Sequence, residues 1–330
     1  MTATTRRALF GTGAALALAS PALASPALAS FPDRPLRIIS GFNPGGANDI
    51  VARALAQPLT AVLGQPVVVE NRAGAGGGVG ALAAARAAPD GYTMFMGIVD
   101  TQAINPFTYR NLPYDPERDF APVSLVTTIP FAIVAGPSRP EIADFAGLVA
   151  AAKRSPGALS FGSWGVGSTS HLAFARIARE ADAELLHVPF TGQAPAMQAV
   201  SASQVDAMAV PAGGAEAMAR DGRTRILAVV SPERLDLLPA VPSLRELGID
   251  LGIGLWQALY LPARTPPELA ARLNAAAGEA MRAPSFVSAM RTQAAKPEPS
   301  TPEGLAALQR SEREAYGAVV RALGITVDGG

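Results

Sequence analysis

The sequence predicts an α/β protein of two units, each a mostly parallel sheet covered by helices. Three observations carry that expectation. Strand and helix signals alternate along most of the chain. Two separate stretches share one grammar, in which an apolar strand runs through a glycine-rich loop into a helix start. An apolar strand at 256–261 then leads into helices with no new sheet, so it is expected to return to the first unit. Such alternation is what a parallel sheet with helical crossovers requires.

In the first unit, residues 36–39 read as a strand. Ile50, Val51, Ala54, Leu55, Leu59, Val62 and Leu63 recur at helical spacing, giving a helix over 49–63. Asn48 and Asp49 are good N-cap residues, and Gly64 is a C-terminal stop. Pro58 inside the pattern predicts a kink or local break. A strand at 66–69, a glycine loop at 73–80, a helix at 81–88 and a strand at 92–96 follow. After a turn-rich stretch, 106–122, the strand 129–135 opens the second unit. Helix 145–153, strand 159–162, loop 163–168, helix 170–180, strand 184–188, helix 194–201 and strands 207–210 and 225–230 continue it. Two long helical patterns, 267–282 and 302–322, close the chain.

Bulk composition narrows the function. The 330 residues suffice for one large or two ordinary domains with a real core. At 49% hydrophobic and 16% charged the chain is globular, not disordered. Formal net charge is zero, so nothing points to nucleic acid or an anionic membrane. With no cysteine there is no disulfide, thiolate nucleophile or Cys-based metal site, and two histidines are too few for a His-rich cluster. No metal and no cofactor is expected.

Residues 1–29 read as an export signal. Arg6 and Arg7 form a twin-arginine n-region, a short apolar run follows, and Ala-x-Ala sites end at Ala24 and Ala29. Cleavage is expected near either, giving a periplasmic product. The apolar run is short for a bilayer span.

Two corners are the leading candidate sites. In the first, Phe42, Pro44, Gly45, Gly46, Asn48 and Asp49 lead into a helix whose first N–H groups lack internal partners and carry partial positive charge. Such a corner can hold a carboxylate or phosphate without any Lys or Arg. The alternative is a capped helix after a tight turn. In the second, Trp164, Gly165, Gly167, Ser168 and His171 repeat the arrangement, with Ser168, Thr169 or Ser170 able to cap or to donate to an anion. If the units face each other, both helix starts can grip one anion. The glycines at 74, 76, 77, 78 and 80 fail the dinucleotide spacing. No G-x-S-x-G elbow supports a serine hydrolase. His171 fits a cap or packing role better than a catalytic one. Val188 and Thr191, after a strand, and Thr101 and Asn105, in the loop 97–106, are further cleft-lining candidates.

At these residues the chain resembles a known family. Pro32 to Pro35, Pro44-Gly45-Gly46 with Asp49 and Arg53, Val69 to Gly76, Pro89 to Tyr92, Ala103 to Pro106, Ser168 with His171, Val188 to Gly192 and Leu238 to Pro242 fall in family order. They are similar to the Bug family of periplasmic solute-binding proteins, receptors of tripartite tricarboxylate transporters, from about Phe31 to Val327. The resemblance implies a fold like type II periplasmic binding proteins: two α/β lobes joined by two crossing strands, with the cleft between them. It implies lobes at 30–128 plus 257–330 and at 129–256, closing on a small organic acid. The ligand's carboxylate would be held by loops of both lobes, largely through backbone groups and water. It would be handed, unchanged, to a large and a small membrane subunit. A monomer is expected.

Two loops depart from the family pattern. In the loop 97–105 Asp100 stands where a glycine is usual and Gln102 where a histidine is usual, and in the second loop Trp164 stands where a small residue is usual. Asp100 could meet an ammonium or hydroxyl of the ligand and Trp164 could cover an apolar or ring-shaped part. Equally, Asp100 could cap a turn and Trp164 pack at the lobe rim. Asp206 completes the candidate set. The expectation is a non-enzymatic receptor; the alternatives are a periplasmic hydrolase or isomerase, or a ligand-sensing subunit, on the same scaffold.

Overall fold

Crossover-connected parallel strands are what the alternating signals demand, and the computed structural model contains them twice. It describes residues 31–222, 224–251 and 254–327; the expected export signal lies outside these. From Pro32 onward the described chain is one compact unit.

In the first half, β1 (Leu36–Ser40) leads to α1 (Ala47–Leu63), β2 (Val67–Asn71), α2 (Gly78–Ala85) and β3 (Thr93–Ile98). β1 pairs in parallel with β2 on one side and β3 on the other. α1 buries Val51, Ala52, Leu55, Ala56 and Leu59 and ends at Gly64, whose φ of 69° suits a left-handed cap. The helix continues through Pro58 without a break, contrary to expectation. α2 starts three residues earlier than its pattern suggests, and it packs very closely on the strand below: a Cβ on Gly80 would fall 2.6 Å from the Gly41 Cα. Close backbone approach thus accounts for part of the glycine run.

The loop expected after β3 is a single π-helical turn, Asp100–Ile104, running into the short α3 (Asn105–Thr108). The chain then forms β4 (Phe120–Ile129). The expected strand at 129–135 is divided by Pro130. β4 stays in the first sheet, while β5 (Phe131–Ala135) belongs to the second.

The second half continues with α4 (Phe145–Arg154), β6 (Ser160–Ser163), α5 (Thr169–Glu180), β7 (Leu186–Pro189), α6 (Gln193–Ser201), β8 (Ala207–Pro211), α7 (Ala212–Arg220) and β9 (Arg225–Val230). After irregular chain, β10 (Leu255–Pro262) returns to the first sheet, antiparallel to β3 and β4. Helices α8 (Pro267–Ala280) and α9 (Pro284–Thr292), the two-residue β11 (Lys296–Pro297) and α10 (Pro302–Leu323) finish the fold.

The sheets have the orders β11-β4-β10-β3-β1-β2 and β7-β6-β8-β5-β9. Each has a first strand flanked by two parallel neighbours, then an antiparallel strand entering from the chain's crossing points. These are two α/β lobes joined by two crossings, β4 to β5 and β9 to β10. Every residue of β3, β5, β8 and β10 is buried, as sheets covered on both faces require.

Candidate functional site

In both lobes the first strand of the parallel core ends at a loop that delivers a helix N-terminus. In lobe 1, Gly46 is the N-cap of α1, with extended backbone, and Ala47 opens the helix. Asn48 and Asp49 were expected as caps but sit inside the first turn. Asn48 turns inward: its Oδ1 accepts from Ser40 Oγ at 2.6 Å, and its Nδ2 donates to the Met96 carbonyl and Gln257 Oε1. Asp49 folds back to accept the Gly45 N–H at 3.0 Å, and also takes Asn71 Nδ2 and Arg53. Burial acts to raise the Asp49 pKa, but the bonds from Arg53, Gly45 and Asn71 outweigh it and hold the carboxyl below its usual range. Asp49 therefore braces the corner through Gly45, Asn71 and Arg53.

In lobe 2, Ser168 caps α5: its Oγ accepts from the His171 N–H and donates to the Gly165 carbonyl. The His171 Nδ1 accepts the Gly167 N–H at 3.0 Å, leaving no base beside Ser168 Oγ. The His171 and His187 rings stack 3.7 Å apart, within 5° of parallel, and His187 Nε2 meets Ser163 Oγ at 2.7 Å. Burial, and for His171 also the neighbouring ring, push these imidazoles down to about 3 and about 4. They are a neutral packing pair under the loop.

Between the lobes lies a cavity of about 20 Å³, room for one water. Phe42, Asn43, Gly46, Ala47, Asn48 and Ile98 line it from lobe 1, Trp164 and Gln193 from lobe 2, with Leu255 at the return strand. No Lys or Arg is among them. The lobes are closed on each other here. Asn43 Nδ2 donates to the Thr191 carbonyl at 3.1 Å, and the Ala47 N–H, first of α1, donates to Gln193 Oε1 at 3.1 Å.

Asp100 makes the reciprocal contact. It is 1% exposed. Its Oδ1 accepts from the Thr169 N–H, first of α5, at 2.9 Å and from Trp164 Nε1 at 3.1 Å, while Thr169 Oγ1 donates to Oδ2. Burial raises its pKa, and the bonds from Thr169 and Trp164 act against that rise. Asp100 thus caps a helix, though of the opposite lobe and not its own turn. Trp164 packs on Phe131, ring centroids 5.7 Å apart, and still forms cavity wall.

Other expected site residues stand back from the cavity. Thr101 Oγ1 bonds the Ile98 backbone, and Asn105 Nδ2 ties the Gly76 carbonyl to Tyr114. Pro44 is exposed in the turn and Val188 pairs with Gly162 on the edge strand β7. Asp206 is displaced altogether: it is held by Arg139 and by Ser160, at the start of β6, whereas the Trp164 loop leaves that strand's other end. Of the residues lining this cavity, sequence reasoning missed Asn43, Gln193, Ile98 and Leu255. Gln193 had a signal, because it opens α6 directly after β7 and the loop holding Thr191, a third strand–loop–helix corner.

Two α/β lobes closing on a small cleft between helix N-termini define a solute-binding protein of the periplasmic-receptor class. Among the described residues no helix is long and apolar enough to cross a membrane. The chain belongs to the tripartite tricarboxylate transporter family of receptors, whose model matches residues 51–325. It is 37% identical over 306 residues to the UPF0065 protein in the tcbD-tcbE intergenic region of Pseudomonas sp. strain P51, covering 92% of this chain and 90% of that one. The solved periplasmic binding protein BugD superposes with a TM-score of 0.83 at 30% identity, over 90% of this chain and all of that one. MatC from Rhodopseudomonas palustris, solved with bound malate, gives 0.82 at 32% identity, over 88% of this chain and all of that one.

Proposed function

We propose that this receptor works outside the cytoplasm, captures a small organic carboxylate between its lobes and delivers it to a tripartite transporter. The observation that carries the reading is the cavity at the start of α1, where Gly46 and Ala47 present a helix N-terminus and no Lys or Arg is among the lining residues. A carboxylate accepting the Ala47 N–H in place of Gln193 Oε1 would make a charge-assisted bond aligned with the helix dipole. Entry requires the lobes to part, since about 20 Å³ does not admit an acid. The hinge in this reading is Pro130 with the chain leading into Leu255.

Membership of the receptor family and the malate held by MatC support a carboxylate ligand. The twin-arginine leader supports export, and the family supports hand-over to a membrane pair of large and small subunits. A thermal-shift screen of carboxylates against the chain without its leader tests the reading. At about 100 times its dissociation constant a ligand stabilises the fold by about 2.7 kcal/mol, a shift of a few degrees at this size. Turnover of a screened acid or ester would argue for an enzyme instead. Uptake that survives deletion of the protein would argue against the transport role.

A further inference from the structure

The two helix starts facing the cleft are filled from opposite lobes, but by unlike groups. At α1 the occupant is the neutral amide oxygen of Gln193, on a flexible side chain. A ligand carboxylate can displace it with gain, since a charged acceptor makes the stronger bond. At α5 the occupant is the Asp100 carboxylate, buried and gripped by three donors from Thr169 and Trp164. Among the described residues no ion pair includes Asp100. A second ligand carboxylate at α5 would only exchange like for like, and would leave Asp100 buried with its donors gone. Placed beside Asp100 instead, it would meet a like charge in a dry site. Phe42, Ile98, Trp164 and Leu255 give the cavity wall apolar surface, beside the amides of Asn43 and Asn48, which are already bonded to the Thr191 carbonyl and to Ser40, Met96 and Gln257.

We propose that Asp100 takes the anion seat of lobe 2 whenever the lobes close, so that the receptor holds acids with a single carboxylate and an apolar chain or ring, and rejects dicarboxylates. This rests on the carboxylate-receptor reading above. The two differ in what they predict for matched ligands.

Calorimetric titration of the folded protein with hexanoate and adipate, benzoate and phthalate, and 6-aminohexanoate tests it, repeated on Asp100→Gly and Asp100→Asn. The wild type should bind the better monoacid at least about tenfold more tightly than its diacid partner, the scale of a like-charge clash. Asp100→Gly should shift that ratio toward the diacid by about tenfold or more, and Asp100→Asn by less, because the amide still blocks the seat. The proposal is overturned if the wild type binds the diacid as tightly as the monoacid. It is also overturned if 6-aminohexanoate is preferred, since Asp100 would then read a cation, or if Asp100→Gly leaves the ratio unmoved in a folded variant. Should no acid bind at all, the carboxylate reading itself fails and this proposal with it.

Discussion

The carboxylate of Asp100, from lobe 1, accepts the N–H of Thr169, the first residue of α5 in lobe 2, at 2.9 Å. A charge buried this way is stabilised by hydrogen bonds but not by a counter-ion. Its pKa is raised, so the native state holds a proton more readily than the unfolded chain does. Stability from this group is therefore greatest below the unfolded carboxylate pKa and is lost as pH rises through the folded value. Asp100→Asn should melt at or above the wild-type temperature near neutral pH. That advantage should shrink as pH falls toward the carboxylate range, as paired melting curves would show. An advantage that grows on acidification would contradict the assignment.

The His171–His187 stack has the opposite sign. Both folded pKa values, about 3 and about 4, lie below the unfolded value near 6.5. Stability from the neutral pair is complete above about pH 6.5 and drains away as pH falls toward 4. His187→Phe keeps a ring in the stack and loses the titrating nitrogen. Paired denaturation curves should show the variant losing less stability than the wild type between pH 6.5 and 4, by roughly 1–2 kcal/mol after solvent screening.

Gly167 marks where the lobes touch. Its φ is 74°, and a Cβ there would lie 2.6 Å from Thr108 Cγ2 on lobe 1. Gly64 has a similar φ of 69° with nothing within 4 Å of its Cβ position. Both Ala substitutions should cost about 1–2 kcal/mol of backbone strain. Only Gly167→Ala should also oppose closure and weaken ligand binding, by about tenfold or more. Equal ligand affinities for the two variants, measured by calorimetry, would refute a closure role for this contact.

Gln193 competes with the ligand for the Ala47 N–H. Gln193→Ala should tighten carboxylate binding by up to about tenfold, the worth of one net hydrogen bond. Gln193→Glu should weaken it by placing a carboxylate at the same seat. Titrations of both variants with one acid give the order Ala, wild type, Glu; the reverse order would show that Gln193 helps to hold the ligand.

The architecture was legible because alternation is a long-range pattern that single side chains do not disturb. Gly64, the strand 225–230 and the returning strand near Trp256 all fell where their residues indicated. Local geometry was less legible. Pro130 splits an apolar run that reads as one strand, because a run of buried residues looks the same in one sheet or two. The Asp49 corner reads as a cap, yet only the fold shows that Gly46 begins the turn and that Asp49 reaches back to Gly45 and across to Asn71. Asp206, one of many acids near a strand, carried no signal of which end of the sheet it occupies. Gln193 and Asp100 acquire their roles from the opposite lobe, through contacts separated by 146 and 69 residues, which no local pattern encodes.

The central claim is that a ligand carboxylate is held at the α1 N-terminus by backbone N–H groups. Calorimetric titration of the tightest-binding acid against its uncharged primary amide tests this most directly. The two differ in charge at nearly constant shape. The acid should bind at least about a hundredfold more tightly, as expected when a charged acceptor meets a helix N-terminus in a closed cleft. Equal binding of the amide would contradict the claim.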